Sequence, residues 1–239
     1  MHKLPSELQR LFFFTPSTPA DAGASPASLV GPDGTVRALV MELRRQPDWE
    51  LLARVWQGVQ AELDLPAPAI AVSGTDAMQL WFSLAEPVTA AQAQAFLDGL
   101  RQRFLPDVDA RRLRLLPTLD LQHAQPVPAA QAGTENWSAF VAPDLAPVFG
   151  DTPWLDIPPN EEGQASLLRS IAVTRKAAFE AALQALGGSA QAVQASLPAP
   201  GAGGDPVRFL RRVMDDETVP MALRIEAAKA LLPHSGQRG

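Results

Sequence analysis

The chain contains no cysteine. That removes disulfides, thiolate metal sites and cysteine nucleophiles together. Long apolar runs are missing as well. The N-terminal stretch offers only Leu11–Phe14, shorter than the apolar region of a signal peptide, and no window approaches a membrane span. A cytoplasmic protein with no membrane role is the expectation. Histidine is scarce: His2, His123 and His234 are dispersed and lack ligand spacing, so no zinc site is expected. The glycine fingerprint of dinucleotide-binding folds, the G-x-S-x-G elbow and the G-x-x-x-x-G-K-[ST] loop are all absent, which leaves those enzyme classes unsupported. Positive charge is in deficit, with 20 Lys and Arg against 26 Asp and Glu. A net charge of −6 gives no global pull toward nucleic acid or an anionic membrane.

What the chain does have is globular composition: 239 residues, 46% of them hydrophobic. Its 23 prolines are roughly twice the usual share of about 5%. They gather between periodic segments, which marks ordered loops and linkers. Ser6 is a candidate cap for a short first helix ending at LFFF. Val36 to Leu43 reads as a buried strand, being almost continuously apolar. QPDWELLARVWQGVQAELDL is the clearest helix: Leu52, Val55, Trp56, Val59 and Leu63 share one face, Pro47 and Asp48 suit its first turn, and Pro66 and Pro68 stop it. Ile70 to Ser73 and Met78 to Leu84 form two strands around the turn SGTDA, and Pro87 breaks the second. Thr89 caps another amphipathic helix. Leu113 to Leu116 is a short strand. Gln125 to Pro159 is a Pro-rich wrap whose Trp137, Phe140 and Trp154 are expected to tuck into the core, and Glu161 to Leu186 returns to helix.

This β-α-β-β-α-β order predicts an α/β (α+β) fold: a split, mixed and partly antiparallel sheet covered by helices. The expected organisation is a core over residues 1–186, a flexible Ala/Gly/Pro/Ser/Gln linker over 187–206, and a helical hairpin tail over 207–239.

The segments VRALVMELR, AVSGTDAMQLWFSLAEPV and VDARRLRLLPT, in that order, resemble the archaeo-eukaryotic primase–polymerase superfamily over about Val36 to Thr118. In that family a strand ends in Asp-x-Asp, a Ser-Gly-x-Gly-x-His hairpin follows, and a third Asp precedes an Arg-rich strand. The resemblance implies phosphate or nucleotide contact at Ser73, Gly74 and Gln79, and residual metal-site positions at Glu42 and Asp109. Departures from the pattern fall on the chemistry. Only Glu42 stands in the first motif, and its neighbours on the strand face are Val40 and Arg44. Gln79 replaces the histidine and cannot carry an imidazolium charge. Two-metal phosphoryl transfer needs more carboxylates than these. The resemblance therefore implies a catalytically degenerate member that requires no cofactor, with Mg or Mn relevant only to remaining activity.

Each residue also has a plainer reading. SGTDA is good hairpin chemistry in its own right, and Glu42 can pair with a nearby Arg. Gln79, Trp81 and Ser83 share one strand face; Trp81 suits base stacking if that face is open, or packing if the Pro-rich segment covers it. RQRFLPDVDARRLR sets five arginines against two aspartates. Arg101 and Arg103 suit a helix C-terminus, whereas Arg111, Arg112 and Arg114 suit phosphate contacts. The expected partner is single-stranded nucleic acid or a nucleotide, bound weakly. The alternative is a non-enzymatic interaction module that docks a protein through 207–232, a stretch resembling helical tails of phage and mobile-element proteins.

Overall fold

The computed structural model describes residues 3–14 and 28–187. The linker beyond Gly187 and the tail at 207–239 lie outside the described residues, as does any docking through 207–232.

The sequence pattern becomes helix α1 (Lys3–Leu11), strand β1 (Thr35–Arg44), α2 (Trp49–Leu63), β2 (Ala69–Val72), β3 (Ala77–Thr89), α3 (Ala90–Phe104), β4 (Leu113–Leu116), β5 (Ala139–Val141), α4 (Glu161–Arg169) and α5 (Lys176–Ala185). Local chemistry sets the helix ends. The Asp48 carboxylate accepts the Glu50 N–H at the start of α2, and Asp64 closes its end in a left-handed conformation. Thr89 and Gln92 form a capping box on α3. Lys3–Leu11 begins before Ser6, so Ser6 lies inside the helix and does not cap it.

The sheet order is β4-β1-β3-β2-β5. The first four strands realise the expected split β-α-β-β-α-β pattern, and β5 extends it at the β2 edge. All four ladders are antiparallel; the parallel component of the expected mixed sheet is a single bridge, Leu84 with Thr174. That bridge explains a second difference. Pro87 does not end β3 but interrupts its ladder with β1, which shifts register between Val36 and Ala38. The freed stretch pairs with the 171–174 loop instead: Thr174 N–H donates to Ser83 O and Ala85 N–H to Thr174 O. The segment expected as one helix from Glu161 to Leu186 is therefore cut into α4 and α5.

Strand alternation sorts side chains to two faces. Leu39, Met41, Leu43, Met78, Leu80 and Phe82 pack under α2, α3 and α5 in one core. Ala38, Val40 and Trp81 face a second core with Phe12, Phe140 and Leu168. Helices α1 and α4 lie on this second side, and Arg10 of α1 ties them by donating to Leu168 O and Ile171 O. Of the three wrap aromatics, Phe140 is fully buried while Trp137 and Trp154 are half-buried. Both sheet edges meet a glutamine. Gln164 of α4 accepts the Phe140 N–H and donates to its C=O (2.8 and 2.9 Å), and Gln94 of α3 donates to Leu115 O and Pro117 O.

His123 seals the second side near β1. In the Nε2–H tautomer it donates to Ala38 O (3.0 Å), while Nδ1 accepts the Ala124 N–H (2.8 Å). Burial pushes its pKa below the ordinary 6.5, with the Ala38 carbonyl pulling weakly the other way. Protonation would set an Nδ1–H against the Ala124 N–H. The unfolded chain thus takes this proton first, and the stability tied to His123 falls as pH drops through about 6.5. Urea-denaturation midpoints are expected to decrease from pH 7 to pH 5, and His123→Gln should remove most of that decrease. An undiminished slope in the variant would locate the titrating group elsewhere.

Among the described residues no helix is long and apolar enough to cross a membrane.

Candidate functional site

A single register row crosses the sheet on its second face: Arg114 of β4, Glu42 of β1, Gln79 of β3, Ala71 of β2 and Phe140 of β5. This row holds the first and second motifs of the sequence. Glu42 is 7% exposed and Gln79 4%. Gln79 Nε2 donates to Glu42 Oε2 (2.7 Å), and Gln79 Oε1 accepts the Trp81 indole N–H (2.8 Å). Arg44 Nε stands 3.5 Å from Glu42 Oε1 and 3.6 Å from Asp76. The buried carboxylate is thus compensated by an amide and a guanidinium, as a charge in a low-dielectric place requires. A chain of partners runs from indole to amide to carboxylate to arginine.

Trp81, expected to stack on a base, and Ser73, Gly74 and Gln79, expected to contact phosphate, all have partners within the fold. Trp81 is 1% exposed and cannot stack on a base. Its ring is closed in by Phe12 at 5.2 Å and Phe140 at 5.9 Å, both edge-on. Gln79 is buried, and its amide bridges Glu42 and the Trp81 indole. The SGTDA turn is spoken for too. Ser73 Oγ accepts the N–H groups of Thr75 and Ala77 and shares a hydrogen bond with Thr75 Oγ1. Gly74, at φ +83, donates its N–H to Pro153 O (3.0 Å). The Pro-rich wrap occupies the amide that a phosphate would need.

The carboxylates do not fit a metal pair. Asp109 accepts the Arg111 N–H (2.9 Å) and caps the short 3-10 turn Ala110–Arg112. Glu42 is engaged as described, and neither its hydrogen bond nor its ion pair involves Asp109. Among the described residues no three His, Asp or Glu side chains gather as a ligand set. Two cations held about 4 Å apart need such a set.

The arginines divide by position. Arg101 pairs with Asp98 and Arg103 with Glu62, so both are neutralised on the helical side. Arg112 Nη2 donates to Gln46 O (2.9 Å), while its Nε is buried without a partner. Arg111 and Arg114 are exposed with no side-chain ion pair or hydrogen bond among the described residues. Arg45 is in the same condition, and sequence reasoning passed over it. With Arg44, these residues make an arginine corner where β1 ends and β4 begins. Arg45 and Gln46 both have positive φ, 57 and 66. For residues other than glycine that costs roughly 1–2 kcal/mol each, a strain concentrated beside the unpaired guanidiniums.

Next to the corner lies an open cleft of about 940 Å³ between the start of α2 and the 147–151 loop. Gln46, Trp49, Glu50, Arg112, Val148 and Asp151 are among its walls.

No protein-family model matches this chain, and no curated protein matches it. Among solved structures it is weakly similar to the polymerase domain of ligase D from Mycobacterium tuberculosis, solved in complex with DNA. The identity is 14% and the TM-score 0.33, over 76% of this chain and 60% of that one. The present chain thus corresponds to about 60% of that domain's length, and neither an activity nor a ligand is carried over from it.

Proposed function

We propose that this chain is a catalytically silent, primase–polymerase-like domain that binds the backbone of single-stranded nucleic acid, weakly, through its arginine corner. The observation that carries the reading is the trio Arg45, Arg111 and Arg114, exposed and unpaired in an otherwise acidic chain. Arg112, anchored on Gln46 O, holds the 3-10 turn against the end of β1 and so sets their spacing. Guanidiniums recognise phosphate oxygens through paired N–H donors. Catalytic silence is supported by the engagement of Glu42 with Gln79 and Arg44.

Three phosphate contacts on a single strand imply a log–log salt slope of about −2. Binding of labelled single-stranded DNA should therefore weaken about 15- to 20-fold between 50 and 200 mM salt. Arg111→Ala and Arg114→Ala should each lower the slope by about 0.7. Absence of binding at low salt would overturn the reading. Primer extension with Mg²⁺ or Mn²⁺ should give no template-dependent product, and a product that disappears in Glu42→Ala would overturn the silence.

A further inference from the structure

We infer that the cleft beside the arginine corner receives a nucleobase carrying an exocyclic amino group, from the same strand whose phosphates the arginines hold. This rests on the binding reading above and adds a base preference to it.

The cleft touches the corner directly. Arg112 lines it, and Gln46, which also lines it, accepts the Arg112 hydrogen bond. Arg45 and Arg111 each adjoin one of these two lining residues in the chain. A strand gripped at the corner would thus place a neighbouring base at the cleft mouth. The cleft walls differ from the corner in kind. Trp49 supplies a half-buried indole, tilted against Trp56 at 6.4 Å, and Val148 adds an exposed apolar side chain. Flat aromatic and apolar surface beside a cationic track is how single strands are held through their bases.

Two carboxylates then set the polarity. Glu50 and Asp151 line the cleft, are exposed, and their carboxylates have no ion pair or hydrogen bond among the described residues. Asp48, by contrast, is committed to the Glu50 N–H. Free carboxylates accept hydrogen bonds and repel acceptors. Cytosine and adenine each present an amino donor that a carboxylate can accept. Thymine presents one N–H flanked by two carbonyl oxygens, which face a carboxylate badly. Phosphates, repelled by Glu50 and Asp151, stay on the arginine side. Charge segregation therefore orients the strand, backbone on the corner and base in the cleft.

The test compares dC and dA homo-oligomers with dT at low salt, by quenching of tryptophan fluorescence and by filter binding. Wild-type protein should bind dC and dA about five- to tenfold more tightly than dT, the discrimination of one good carboxylate–amine contact. The double variant Glu50→Gln, Asp151→Asn changes two exposed side chains and should fold normally. It should bring the dC/dT ratio close to one while leaving the salt sensitivity of dT binding in place. Trp49→Phe should keep the ratio and lower affinity for all three oligomers by less than fivefold. Equal affinity for dC and dT with salt-sensitive binding retained would overturn the cleft assignment and leave the arginine reading standing. Loss of all binding at low salt would overturn the arginine reading itself. Capture of an oligolysine peptide that depends on Glu50 and Asp151, with no base preference, would assign the cleft to a basic peptide and overturn the inference.

Discussion

Trp81→Ala is expected to lower the free energy of unfolding by about 3–5 kcal/mol, the usual cost of deleting a buried aromatic. Three losses coincide there. The indole leaves a void between Phe12 and Phe140, its two edge-on neighbours. Gln79 Oε1 loses its donor, which leaves a buried acceptor unpaired. The amide that steadies Glu42 is then free to rotate, so the carboxylate loses support as well. Against a typical domain stability of about 5–15 kcal/mol, this is a large fraction. Trp81→Phe separates the contributions: it keeps most of the ring but removes the N–H, and should cost about 1–3 kcal/mol. Urea denaturation at pH 7 reads both. A Trp81→Ala midpoint equal to wild type would mean that the second face of the sheet is not packed as described.

Gly74→Ala is the second large effect. A Cβ at this position would sit 2.6 Å from Gln131 Cγ and 2.8 Å from the Ser138 backbone N. The side-chain contact can relax, but the backbone contact cannot without shifting the wrap. The positive φ adds its own cost for any residue with a Cβ. Together these should amount to about 2–4 kcal/mol of lost stability. The same variant decides what the turn is for. If SGTDA only reverses the chain under the Pro-rich wrap, the folded fraction of Gly74→Ala binds single-stranded DNA as wild type does. If it cradles a phosphate, affinity falls in molecules that remain folded. Thermal denaturation paired with filter binding on the same sample tells the two apart.

The fold was legible where local signals agree. Helix α2 announces itself through Asp48, a one-sided apolar stripe and Pro66. The split strand order follows from the short turn between Val72 and Ala77. Strand β5 was not legible: three residues in a Pro-rich stretch carry no period, and only the distant β2 makes them a strand. The break between α4 and α5 had one local trace, the β-branched Ile171, Val173 and Thr174, which helices disfavour. The site shows the same division. The alternation of β3 puts Gln79, Trp81 and Ser83 on one face, but only the register with β1 sets Glu42 beside Gln79. The hydrogen bonds of Gln79 join it to Glu42 and Trp81, and no single segment contains that information. Arg45 was passed over because a left-handed arginine leaves no mark in the sequence, whereas Arg111, Arg112 and Arg114 stand out as a run.

The two glutamines at the sheet edges have a consequence for assembly. An exposed strand invites another chain to continue the sheet. Gln164 meets that invitation at Phe140 with one acceptor and one donor, the pair that a neighbouring peptide group would offer. Gln94 answers the Leu115 carbonyl on the opposite side. A side-chain amide thus impersonates the missing strand at each margin. Strand-mediated association between copies is blunted at both margins.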